Sequence, residues 1–135
     1  MLKLSRQEAK RADKVSTHLL RIRSVVDLEF YDTITAVLRN VESASRLLRD
    51  LYDLFPIYRL RVPIILYYLN VSLPSLCKTM RDMMIYLDND NLPPARQWTL
   101  MYERLSEQGG IGLAARFVMF VDMLVQLVRL LSKCG

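Results

Sequence analysis

VLRNVESASRLLRDLYDLF, residues 37–55, is the stretch whose reading decides the fold. Val37, Val41, Ala44, Leu48, Leu51 and Phe55 follow one another at alternating steps of four and three residues. That spacing puts all six on one face of an α-helix. Glu42/Arg46, Arg46/Asp50 and Arg49/Asp53 stand four apart on the other side, where opposite charges support a helix. Pro56 ends the pattern, because a proline pushes the residue before it out of the α region. No glycine precedes Gly109 and no proline precedes Pro56, so nothing upstream breaks a helix outright.

Upstream, Ala12, Val15, Leu19, Ile22 and Val26 repeat the same three-four step and predict a first helix. Ser5 followed by Glu8 is a capping-box signature and marks its start. Arg21 and Arg23 suit a helix end, and Asp27, Glu29 and Asp32 suit the first turn of the next, by the helix dipole. A break is therefore expected at 24–27, with Ser24 as the cap of the second helix. The rival is one unbroken helix of about 50 residues, about 75 Å long.

Downstream, Pro63 fits the first position of a third helix, and Pro74, inside the apolar pattern, must kink or split it. Leu76, Met80, Met83, Met84 and Leu87 continue that helix. Asp88-Asn89-Asp90-Asn91 reads as a loop. Pro93-Pro94 opens a fourth helix through Trp98, Met101, Tyr102 and Leu105, and Gly109-Gly110 closes it. The last helix runs from Leu113 to Lys133. Its polar residues Asp122, Gln126, Arg129 and Lys133 form one narrow stripe, and so much apolar surface predicts a central position. No segment alternates with period two. The expected fold is all-α: a bundle of four to five helices, mostly antiparallel and up-and-down, with a Pro-kinked third helix.

At 135 residues the chain fits a single domain, 1–135, with a core of its own. Charge divides it. Lys3, Arg6, Lys10, Arg11, Lys14, Arg21 and Arg23 face only Glu8 and Asp13 in residues 1–23, and the rest of the chain sums to zero. Residues 1–24 thus form a basic amphipathic helix and 25–135 a neutral body. Burying so many cations is costly, so one side of the first helix is expected in water, and deletion of residues 1–11 is expected to leave the bundle folded.

Chemistry-bearing patterns are missing. There is no P-loop, G-x-G-x-x-G, H-E-x-x-H or G-x-S-x-G. One histidine and two distant cysteines, Cys77 and Cys134, do not make a structural zinc site, and a reducing compartment suits them. Asp88 and Asp90 are spaced like an EF-hand start but lack its glycine and terminal glutamate. His18 reads as a surface residue of the basic helix. Arg116, beside Phe117 and Phe120, reads either as a snorkelling side chain or as one held in a buried ion pair or offered to a partner. Six methionines between Met80 and Met123 suit a core or an adaptable binding groove. The uncharged run Val62–Cys77 is too short and too proline-broken to span a bilayer, Phe117–Leu131 is interrupted by Asp122, Gln126 and Arg129, and no signal peptide opens the chain. Glu107-Gln108-Gly109-Gly110-Ile111-Gly112 ahead of an apolar helix resembles the loop before the central helix of Bcl-2-type death regulators. It lacks the Asn-Trp-Gly-Arg core of that motif, so no residue role is carried over. A long basic helix followed by a bundle also resembles BAR-like and fungal HeLo-like modules in general shape, without a shared motif.

These readings imply a cytoplasmic, non-enzymatic protein–protein interaction and oligomerisation module, part of a larger protein or complex, with no cofactor and no metal. The expected partner is a protein, the chain itself or another. The alternative is a peripheral module whose basic helix lies on anionic lipid. Nucleic acid is disfavoured, since no aromatics interleave the basic residues. The expected interaction surface comprises Lys3, Arg6, Lys10, Arg11, Lys14, Arg21, Val37, Val41, Leu48, Met80, Met84 and Arg116.

Overall fold

The computed structural model describes residues 2–58 and 68–133 of the chain. Among them are five α-helices and no strand: α1 (Leu2–Arg23), α2 (Tyr31–Tyr58), α3 (Leu73–Leu87), α4 (Pro94–Gly109) and α5 (Leu113–Lys133). A 3-10 turn (Leu28–Phe30) leads into α2, and a π-helical turn (Tyr68–Ser72) runs into α3. The all-α bundle expected from the sequence is the fold observed.

The centre of the bundle is α2, which packs most extensively on α1 and next on α5. Its sequence explains why it can serve two neighbours. Ile34, Val37, Leu38, Val41, Ala44, Ser45, Leu48 and Leu51 are all buried, and the adjacent pairs 37–38 and 44–45 widen the apolar stripe into a broad arc. Arg6 meets Tyr52, Asp13 meets Arg49 and Arg23 meets Thr35. Residue numbers rise along one helix as they fall along the other, so α1 and α2 are antiparallel. From α1 come Ala9, Ala12, Val15, Leu19 and Ile22, the expected stripe extended by one turn. Full burial of a Val, Leu or Ile side chain stabilises by about 1.5–3 kcal/mol. The basic helix is therefore a structural wall of the bundle.

α5 contributes Leu113, Phe117, Phe120, Leu124, Leu127 and Leu131, with Phe117 and Phe120 edge-to-face at 5.6 Å. It is not the central helix that its composition suggests. Only this one stripe is buried, and Val118 and Met119 remain exposed on either side of it. α3 lies against α1 and α4. Pro74 falls in the first turn of α3, where its missing N–H costs nothing, and the π-turn absorbs the disturbance just before it. The expected helix start at Pro63 lies outside the described residues.

Three local readings are corrected. α1 begins at Leu2, so Ser5 is inside the helix and does not cap it. The break at residues 24–27 is where it was expected, but the Ser24 hydroxyl donates back to the Arg21 carbonyl at 2.7 Å and Asp27 precedes the next turn. The pairs Glu42/Arg46, Arg46/Asp50 and Arg49/Asp53 do not form among the described residues, and Arg49 instead crosses to Asp13 on α1.

Candidate functional site

Two surfaces stand out, and the first is a groove between α3 and α5. Val71, Ser75, Lys78 and Asp82 follow at steps of four, three and four and form one wall. Arg116, Met119, Phe120 and Met123 form the other, and Gln108 in the last turn of α4 and Ile111 of the α4–α5 turn complete the lining. The groove holds about 570 Å³. Met119 is 56% exposed, and Val71 and Ile111 are exposed on either side of it.

The sequence of the α4–α5 turn fixes this part of the lining. Gly110 has φ +69°, a left-handed conformation that lets α4 stop and the chain reverse. The Leu113 N–H donates to the Ser106 hydroxyl at 3.1 Å, and the Arg116 guanidinium donates to the Leu105 carbonyl. Each helix end is thus satisfied by a side chain of the other helix. Along the opposite wall Lys78 pairs with Asp82 at 2.7 Å. The Thr79 hydroxyl donates to the Ser75 carbonyl at 3.0 Å. The charged groups around the groove are already engaged, and the surface left for recognition is apolar and rich in methionine.

The second surface is the outer face of α1. Arg6, Lys10 and Lys14 are exposed and make no ion pair among the described residues. Arg6 lies over the Tyr52 ring at 5.7 Å, and a shallow hollow of about 370 Å³ is lined by Arg6, Lys10, Arg49, Tyr52 and Asp53. The two acids of α1 are both engaged. Glu8 is only 2% exposed and binds Arg11 at 2.5 Å, and Asp13 is held by Arg49 and Ser45.

Cys77 packs near Glu8. Burial first, and then the Glu8 charge, push its thiol up to about 12, so it stays protonated and inert at neutral pH. His18 accepts a hydrogen bond from Arg21 at 3.0 Å, and partial burial followed by the Arg21 charge lowers its pKa against the opposing charges of Asp88 and Asp90. No group of three or more His, Cys, Asp or Glu among the described residues is placed to hold a metal ion.

The expected interaction residues divide sharply. Val37, Val41, Leu48 and Met80 are fully buried. They hold the bundle together and offer nothing to a partner, which corrects that part of the expected surface. Met84 is half-buried against the same core. Arg11 is occupied by Glu8. Arg21 donates to Gln97 Oε1 at 3.1 Å and reaches the Leu87 carbonyl at 3.5 Å, so it ties α1 to the α3–α4 loop. Arg116 holds a helix end and makes no ion pair among the described residues, and it lines the α3–α5 groove. Arg6, Lys10 and Lys14 are exposed as expected, and the side chain of Lys3 lies outside the described ones.

Sequence reasoning weighed Met119 only as one of six methionines suited to a core or a groove, and it missed Val71 and Ile111 as groove residues and Gln97 as a buried clamp whose amide donates to the Leu87 and Asn89 carbonyls. Met119 carried a usable signal, since it lies off the Leu113–Leu131 stripe while being apolar. Gln97 carried none. No single helix among the described residues is long and apolar enough to cross a membrane, although the bent pair Pro94–Gln108 and Leu113–Ser132 passes by length and composition. Comparisons with protein-family models, with curated proteins and with solved structures return no match to this chain.

Proposed function

We propose that this chain is a non-enzymatic assembly module of the cytoplasm, part of a larger protein or complex, which pairs with a second copy of itself through the α3–α5 groove. The observation that carries the reading is the groove's apolar wall, with Met119, Ile111 and Val71 exposed beside the half-buried Met123. A groove with its charges already engaged selects an apolar helix face. The chain itself carries one: Ala114, Val118, Val121, Val125 and Val128 recur at steps of four and three along α5, with Val118 48% exposed and the others half-buried. A helix with apolar rows on both flanks of its buried stripe is suited to packing against a copy of itself. The free, buried thiol of Cys77 accords with a reducing compartment.

Light scattering over a range of micromolar concentrations tests the proposal. The mass is expected to rise to that of a dimer. Met119→Glu is expected to hold the protein at monomer mass with its helical circular dichroism unchanged, since the side chain is exposed in the monomer. A monomer mass for the unaltered protein at every concentration overturns the reading.

A further inference from the structure

We infer that the outer face of α1 is a docking surface for an anionic membrane, held there by charge alone. Arg6, Lys10 and Lys14 stand four residues apart, about 6 Å from one to the next along the helix axis. Lys3 shares their register, within an arc of about 80° at 100° per residue, and Arg21, in the same arc, is taken up by Gln97 and the Leu87 carbonyl. The row is therefore straight and lies opposite the stripe of Ala12, Val15, Leu19 and Ile22 that is buried against the bundle. Glu8 is buried with Arg11 and Asp13 is bound by Arg49, so neither neutralises the row. Asp53 is the one acid lining the hollow beside Arg6 and Lys10, on the α2 side of the row.

Three features favour a bilayer surface over a nucleic acid. A plane touches only the crest of the helix, where the cations are, whereas a strand following the hollow toward α2 meets Asp53. The aromatic ring next to the row, Tyr52, is already covered by the Arg6 guanidinium and offers no platform for a base. Lysine's compact charge suits a diffuse anionic surface, while the two arginines of the hollow are committed, Arg49 to Asp13 and Arg6 over the Tyr52 ring. The apolar side of α1 is committed to the core, so the contact is superficial and wholly sensitive to salt. This surface rests on observations independent of the groove.

Co-sedimentation with phosphatidylcholine vesicles, with and without phosphatidylserine, tests it. The protein is expected to bind only the phosphatidylserine vesicles, strongly at about 0.01 M salt and weakly at about 0.15 M, as the Debye length falls from about 30 to about 8 Å. Removing three surface cations, with Arg6→Gln, Lys10→Gln and Lys14→Gln together, is expected to weaken partitioning about 100-fold, at roughly fivefold per charge. Arg39→Gln, Arg81→Gln and Arg96→Gln change net charge equally from exposed positions elsewhere and are expected to leave binding nearly unchanged. Equal loss in both triple variants, binding to phosphatidylcholine alone, or displacement from vesicles by random-sequence duplex DNA at equal phosphate overturns the inference.

Discussion

Asp13 and Arg49, 36 positions apart, form a two-pronged ion pair that fastens α1 to α2, with both guanidinium ends donating to the two carboxylate oxygens. Ser45 closes the arrangement: its hydroxyl donates to Asp13 at 2.5 Å and accepts from Arg49. The Arg49 hydrogen bond, aided by Ser45 and opposed by partial burial, holds the Asp13 carboxyl below its ordinary value of 3.8. A depressed carboxyl pKa stabilises the fold above the unfolded value, and that stabilisation is lost as pH falls through the folded value. Both side chains are about half exposed, which limits the pair to about 0.2–1 kcal/mol. Asp13→Asn is expected to lose this amount in urea unfolding at neutral pH and to match the unaltered protein in acid, once the pH has fallen below the depressed folded value. A constant difference at both pH values contradicts the assignment.

Cys77 is expected to resist alkylation in the folded protein. Its thiol is pushed up to about 12, chiefly by burial, and only the thiolate reacts. In a Cys134→Ser background, the iodoacetamide rate at neutral pH is expected to be far below that of a free thiol and to recover fully in urea. Labelling of the folded protein at the free-thiol rate contradicts this placement.

Deletion of residues 1–11, which charge alone suggests is harmless, is expected to destabilise the bundle by more than about 2 kcal/mol, out of the ~5–15 kcal/mol typical of a domain. It removes the buried Ala9, its carbonyl partner contact with Ser45 at 3.4 Å, and the buried Glu8 with its Arg11 bond. A melting temperature equal to that of the full chain contradicts α1 as a wall of the core along its length.

Gly110→Ala is expected to cost about 1 kcal/mol, because an L side chain at φ +69° is strained. Nothing lies within 4 Å of the added methyl group, so the backbone conformation is the whole cost. Gly112→Ala, where φ is not positive and the nearest atom is the Tyr102 hydroxyl at 3.9 Å, is expected to be nearly silent. Chemical denaturation of the two variants separates these outcomes.

Periodicity carried most of the fold. The stripes through Val37–Leu51 and Ala12–Ile22 are the buried faces of α2 and α1, and Gly110 and Pro94 bound α4 as their chemistry requires. What periodicity lacks is a partner for each face. It cannot tell Val37, buried against a neighbouring helix, from a residue waiting for a second chain, so core residues entered the expected surface. Long polar side chains were the other blind spot. Arg21, Arg49, Gln97 and Arg116 each reach across to another helix or loop, at separations from 8 to 76 positions that no local pattern encodes. The exposed cations Arg6, Lys10 and Lys14 were legible because their role depends only on register and charge.

The central place of α2 has a consequence for the order in which the chain assembles. Its contact with α1 needs only the short turn of residues 24–30 to close, whereas its contact with α5 must wait until residues 59–112 have been brought round. Closing the longer loop costs more entropy before any contact repays it. The α1–α2 hairpin is therefore expected to form in the transition state and α5 to dock afterwards. In that case Val15→Ala slows folding, while Leu127→Ala chiefly speeds unfolding. The reverse pattern in stopped-flow kinetics would place the nucleus at the other end of the chain.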